Sequence, residues 1–137
     1  MPNLYVLLST FNGETYLEEL LQSVIQQSYS HFELRIRDDG SVDNTTEILR
    51  KYAALDSRIV IDLGSNIGVQ ASFYSLLECV EDATGFFAFC DQDDIWGEEK
   101  LEIAMQAIAD SARPEAALYF SRLSGVDANN DFLYDTD

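Results

Sequence analysis

Three carboxylates, Asp91, Asp93 and Asp94, fall within four residues directly after the apolar run Phe86-Phe87-Ala88-Phe89-Cys90. Crowded carboxylates repel one another unless they are solvated, protonated or bridged by a cation. Their oxygens are the ligands that Mg²⁺ and Mn²⁺ prefer, and Mg²⁺ is commonly held by one or two carboxylates together with substrate phosphates. Asp91 and Asp93, two apart on a segment read as extended, point the same way and form the natural metal pair. Gln92 and Asp94 then point oppositely, and Asp94 is assigned to capping the segment that follows. Asp127 and Asp131 are acidic too, but they flank Asn129-Asn130 and have the composition of a turn.

Three further polar clusters close apolar runs in the same manner: Ser9-Thr10, Asp38-Asp39 and Ser65-Asn66. Each alone has ordinary turn composition. Together they require elements that bring four chain segments to one edge. Leu4 to Leu8, Phe32 to Arg37, Ile59 to Leu63 and Phe86 to Cys90 read as strands, the first as a run buried on both faces. Between them, Leu17, Leu20, Leu21, Val24 and Ile25 recur at helical spacing, with Asn12 or Thr15 as the expected cap. Asp43 with Thr46 opens a second helix, and Phe73, Leu76, Leu77 and Val80 mark a third. Leu101, Ala104, Met105 and Ile108 mark a fourth. Strands alternating with helices predict an α/β fold, a Rossmann-like, mostly parallel sheet with helices on both faces. Ligands of such a sheet bind beyond the carboxyl ends of its strands. After Pro114 the pattern weakens: Ala116 to Ser121 is expected as a fifth strand, and Asn129-Asn130 as the turn of a hairpin.

The chain has 137 residues with 25 Asp and Glu against 8 Lys and Arg, a net charge of −17. Such a chain repels a phosphate backbone, so sequence-independent nucleic-acid binding is excluded. The surplus is concentrated after residue 70, where 15 acids face only Lys100, Arg113 and Arg122. No Gly-rich phosphate loop of the GxxxxGKS/T or GxGxxG type is present. A bound nucleoside diphosphate therefore needs a divalent metal for its positive charge, and that metal would also stabilise a departing diphosphate. Cys79 and Cys90 show no metal-ligand spacing and are expected as two buried thiols in a reducing compartment. No signal peptide and no apolar run of about 20 residues is present.

Leu8-Ser9-Thr10-Phe11-Asn12-Gly13-Glu14, Ser28-Tyr29-Ser30-His31-Phe32-Glu33-Leu34, Arg37-Asp38-Asp39-Gly40-Ser41-Val42-Asp43-Asn44-Thr45, Asn66-Ile67-Gly68 and Cys90-Asp91-Gln92-Asp93-Asp94-Ile95-Trp96 occur in that order. Together they resemble the family 2 glycosyltransferases of the GT-A fold over about residues 3–105. The Asp-Gln-Asp-Asp-Ile-Trp form looks most like the rhamnosyltransferase-type members that build bacterial surface polysaccharides. The resemblance implies transfer of a sugar from a nucleoside-diphosphate sugar, dTDP-rhamnose or a UDP-sugar, to a saccharide acceptor, with Mg²⁺ or Mn²⁺ and inversion at the anomeric carbon.

Carried over to this sequence, it places Thr10, Phe11, Glu14, Asp39 and Asn66 at the donor nucleotide. Phe11 stands against the base where the family commonly has Tyr, and Asp39 accepts from the N–H of a uracil or thymine ring. Asp38 fixes its turn, and Asp91 and Asp93 match the DxD metal motif. Glu14 either touches the nucleotide or favours the first turn of its helix. No segment matches the family's general base, so no catalytic base is assigned within the chain and it is expected beyond Asp137. The chain thus reads as one truncated domain, 1–137, the donor-binding part of a larger cytoplasmic enzyme, with the inner face of the membrane as a further expected location. An unpaired sheet edge would favour a homodimer. His31 and Trp96 are read as structural.

Two other enzyme classes place acidic groups after strands. A haloacid dehalogenase phosphatase needs its Asp-x-Asp on the first strand, and a response-regulator receiver needs an acidic pair there; this chain has Ser9-Thr10. The alternative of a different class is a non-catalytic nucleotide- and metal-binding module.

Overall fold

Val6, Leu7 and Leu8 expose no surface to solvent, as expected of a strand covered on both faces and paired on both sides. They form the centre of β1 (Leu4–Thr10) in a computed structural model that describes residues 4–80 and 85–136. The chain divides into two compact units, Met1–Lys100 and Leu101–Asp137.

In the first unit β1 pairs in parallel with β2 (Phe32–Asp38), β2 with β3 (Ile59–Leu63), and β1 on its other side with β4 (Phe86–Cys90). The strand order is β3-β2-β1-β4. The register sets Thr10 opposite Asp38, Asp38 opposite Leu63 and Leu8 opposite Cys90, so the carboxyl ends share one edge. The connections are α1 (Leu17–Ile25), α2 (Thr45–Leu55) and α3 (Val69–Glu78). The chain steps from β1 outward to β3 and then returns past β1 to β4. With right-handed crossovers this reversal puts α1 and α2 on one face and α3 on the other. Accordingly α1 touches α2, while α3 packs on β1 and β2. The reversal lies between β1 and β4, and there the fold leaves a crevice at the carboxyl ends.

Helix α1 buries Leu17, Leu20, Leu21 and Val24 at helical spacing, each contributing about 1.5–3 kcal/mol by leaving water. Its start corrects the expected cap. Neither Asn12 nor Thr15 caps it; the Gly13 carbonyl accepts from the N–H groups of Tyr16 and Leu17. Asn12 has φ +47° and spends its Oδ1 on the Val42 N–H at 2.9 Å. Helix α2 begins at Thr45, whose N–H is held at 3.0 Å by Asp43 Oδ1.

Trp96 is buried, with its backbone N–H on Ser23 Oγ at 3.0 Å, and His31 lies in the connection before β2, away from the crevice. Of the two cysteines, only Cys90 is buried; burial foremost, with Asp94 and Asp91 beside it, pushes its thiol up. Cys79 is exposed, because it follows the last turn of α3 instead of facing the sheet. Among the described residues no helix is long and apolar enough to cross a membrane.

The second unit holds nearly all of α4 (Lys100–Ala109), a 3-10 turn at Pro114–Ala116 and a hairpin of β5 (Ser124–Val126) with β6 (Phe132–Asp135). The hairpin turn forms where Asn129-Asn130 predicts it, with Asn130 at φ +66°. Asp127 Oδ1 accepts from the N–H groups of Asn129 and Asp131, so its carboxylate closes the turn. The expected fifth strand does not form: residues 117–123 have no regular structure, and Leu118 and Phe120 are 86% and 85% exposed. Among the described residues no strand pairs with this segment in either sheet, and a lone strand has no ladder to complete.

Candidate nucleotide and metal site

The floor of the crevice is a buried polar network at the end of β2. Arg37, 6% exposed, donates from Nη1 to Asp39 Oδ1 at 2.6 Å and to Ser72 Oγ at 3.2 Å. Its Nη2 reaches the Ser65 carbonyl at 3.0 Å. Asp39 also accepts from the Ile67 N–H at 2.8 Å and, through Oδ2, from the Gly68 N–H at 2.9 Å. Burial alone would raise the Asp39 carboxyl, but the bonds from Ile67, Arg37 and Gly68 outweigh it and hold the carboxyl below its ordinary value. Three donors on an ionised carboxylate leave about one acceptor site open. Asp38, equally buried, accepts from Thr10 Oγ1 at 2.9 Å and from the N–H and Oγ of Ser41 at 2.9 and 2.6 Å. It fixes its turn, as the sequence predicts.

The loop after β1 is held from three directions. Phe11 exchanges two hydrogen bonds with the Gln92 side chain, its N–H to Oε1 at 2.9 Å and its carbonyl from Nε2 at 3.1 Å. Asn12 N–H donates to Ser41 Oγ and Gly13 N–H to Thr45 Oγ1, both at 2.9 Å. Glu14 donates its N–H to Asp43 Oδ2 and accepts the Asn44 N–H on Oε2 at 3.0 Å. Glu14 thus serves the start of α2 and stands outside the crevice wall. Thr10 also stays outside, being wholly buried beneath the floor with its hydroxyl on Asp38.

The crevice is a cavity of about 330 Å³ whose wall includes Phe11, Asp39, Asn66, Asp91 and Asp93. Five of the seven residues expected at the ligand therefore share one cavity, drawn from the ends of all four strands. Ser9, Gly68, Val69, Phe73 and Gln92 complete the lining, and none of these described residues is Lys or Arg. Phe11, Val69 and Phe73 give an apolar side; Asp91 and Asp93 give an acidic one. Both acids are exposed, and among the described residues neither carboxylate has a hydrogen-bond or ion-pair partner. Such a pair is free to bind a cation. Among the described residues no group of three or more His, Cys, Asp or Glu is arranged to hold a metal; a cation at Asp91 and Asp93 would need phosphate and water oxygens to complete its shell. Asp94 is pushed up by burial first and by Asp91 and Asp93 next.

The segment is a turn, with the Asp94 N–H on the Asp91 carbonyl at 3.4 Å, and not extended. Strand alternation therefore fails here: Gln92 faces the cavity together with Asp91 and Asp93. Asp94 caps no helix, since the next begins at Lys100. Arg37 and Gln92 are the residues that pattern reading misses. Arg37 sits in a strand ending in two adjacent acids, and a base that would neutralise them is the available signal. Gln92 carries none, because its role depends on a turn between acids.

A family model described as Glycosyl transferase family 2 matches residues 5–127. TuaG of Bacillus subtilis, a glycosyltransferase provisionally assigned to teichuronic acid biosynthesis, is 37% identical over 74% of this chain and 40% of its own length. The dTDP-rhamnosyl transferase RfbG of Shigella flexneri is 32% identical over 74% of this chain and 36% of its own. The chain spans about two fifths of the length of these relatives. The S. aureus TarS structure in complex with UDP-GlcNAc is 31% identical and superposes with TM-score 0.69 over 79% of this chain and 31% of that one. The sheet order, the cavity at the switch point and a family match over most of the sequence agree, and the chain belongs to glycosyl transferase family 2.

Proposed function

We propose that this chain is the donor-binding part of a glycosyltransferase that takes a sugar from a pyrimidine nucleoside-diphosphate sugar, a UDP-sugar or dTDP-rhamnose, to a saccharide acceptor of a bacterial surface polysaccharide. The observation that carries this reading is that Phe11, Asp39, Asn66, Asp91 and Asp93 line one cavity. The Phe11 ring, 45% exposed, offers the base an apolar face. The open acceptor site of Asp39 suits the imide N–H that uracil and thymine share. Asp91 and Asp93 would hold Mg²⁺ or Mn²⁺, which supplies the charge that neutralises the diphosphate as it leaves. A cavity without Lys or Arg in its described lining needs that help. The TarS structure bound to UDP-GlcNAc and the rhamnosyl transferase relative support this donor class. Attack with inversion at the anomeric carbon completes the proposal.

The test is thermal unfolding with UDP and dTDP, each with and without Mn²⁺. A ligand at 100 times its Kd stabilises a fold by about 2.7 kcal/mol, so a metal-dependent rise in Tm is expected for at least one nucleotide. A folded chain whose Tm moves for neither nucleotide overturns the reading.

A further inference from the structure

We infer that Gln92 is a positioning residue that ties the base-facing Phe11 to the Asp91/Asp93 turn, so that the two ends of a bound nucleoside diphosphate are set in register by one side chain. This rests on the nucleotide reading of the cavity. Phe11 and Gln92 lie 81 residues apart and join β1 to β4 across the switch point, through a two-bond ring with N–H to Oε1 at 2.9 Å and Nε2 to carbonyl at 3.1 Å. A primary carboxamide presents a donor and an acceptor side by side, the complement of a peptide's own N–H and C=O. The side chain therefore acts as an extra strand residue beside Phe11. Each of its polar atoms bonds Phe11, which leaves one N–H and one lone pair facing outward. Its effect on a ligand passes through Phe11, which a double-mutant cycle separates from direct contact. The carboxylates on either side of Gln92 face the same cavity.

Gly13 makes room for this clip. A Cβ there would clash with Gln92 Oε1 and lie 2.8 Å from Cδ, and its three nearest neighbours are all Gln92 atoms. Gly13 has no positive φ that would itself demand glycine. The missing side chain at position 13 and the amide at position 92 thus form one device.

The experiment is a double-mutant cycle on UDP affinity in Mn²⁺, by titration calorimetry with the full chain. Phe11→Ala should weaken UDP by about tenfold, within the range for losing one base–aromatic stack. Gln92→Ala should weaken it about fivefold, because the ring loses its fixed position. The double variant should match Phe11→Ala within about twofold instead of multiplying the two losses. Gly13→Ala should reproduce the Gln92→Ala loss, and it carries the same comparison if Gln92→Ala does not fold. Multiplied losses in the double variant overturn the inference, because a Gln92 that touches the nucleotide directly, or only stiffens the fold, costs the same with or without the Phe11 ring. Wild-type affinity in Gly13→Ala overturns it too. A wild-type chain that does not bind UDP removes the nucleotide reading beneath it, a distinct result.

Discussion

Arg37 Nη1 lies 2.6 Å from Asp39 Oδ1, and the two side chains are only 7% and 3% exposed. The pair does more than neutralise itself. Through Ser72 and Ser65 the guanidinium also grips α3 and the loop before it, while the carboxylate holds the Ile67 and Gly68 N–H groups. One ion pair thereby sets the sheet end, the loop and the helix start that form one wall of the cavity.

Removing the cation should expose this dependence. In Arg37→Met the Asp39 carboxylate stays buried with two backbone donors, and breaking a buried pair on one side costs about 3 kcal/mol or more. Urea unfolding measures that loss, and hydrogen exchange at Ile67 and Gly68 should accelerate along with it. Gly64→Ala approaches the same group, because its Cβ would clash with Arg37 Nη2 and Cζ. It should loosen the same two amides. Unchanged exchange in both variants contradicts the account.

The Asp39 carboxyl also predicts an acid dependence. Its folded value is lowered, so the stability it contributes is full above the unfolded value of about 4 and is lost as pH falls through the lower folded value. Asp39→Asn abolishes that titration. The stability difference between wild type and Asp39→Asn should therefore be constant from pH 7 to about 5 and shrink below about 4. A difference that grows on acidification reverses the sign and refutes it.

The positions that sequence reading places well are those where one physical demand dominates. Val6-Leu7-Leu8 can only be interior, and polar clusters closing four apolar runs converge because parallel strands share an edge. Asp38 is legible as a turn residue for the same local reason. The resemblance places Thr10 at the ligand and Glu14 either there or at the first turn of its helix, yet their side chains serve Asp38 and the start of α2. Those partners lie about 30 residues away, and spacing within one segment carries no trace of them. Gln92 fails for another reason: alternation assumes an extended backbone, and the Asp91–Asp94 turn removes the assumption. Ala116 to Ser121 has strand composition but, among the described residues, no partner strand, which composition does not reveal.

Two glycines with positive φ should respond differently to alanine. Gly40, at φ +82°, would place a Cβ 2.9 Å from the Asn66 backbone nitrogen, whereas Gly68, at φ +90°, has open space around it. Gly68→Ala pays for backbone strain alone, of order 1–3 kcal/mol. Gly40→Ala adds a backbone clash that pushes Asn66 out of the cavity wall, so it should be the more destabilising and should also weaken UDP. Chemical denaturation with a parallel UDP titration ranks them; equal costs would mean that the Asn66 loop yields freely.

Asp93→Ala separates metal binding from fold. The Asp93 carboxylate is exposed, has no hydrogen-bond or ion-pair partner among the described residues, and sits beside Asp91 and Asp94. Its removal relieves repulsion without breaking a contact, so the ligand-free Tm should stay at or slightly above wild type. With one carboxylate left, the Mn²⁺-dependent part of the UDP-induced rise in Tm should vanish, while any metal-independent part, owed to Phe11 and Asp39, should persist. Asp39→Asn should show the converse, a loss that is present with and without Mn²⁺. If Asp93→Ala instead lowers the ligand-free Tm by many degrees, Asp93 holds the Asp91–Asp94 turn together and the metal assignment moves to Asp91 alone.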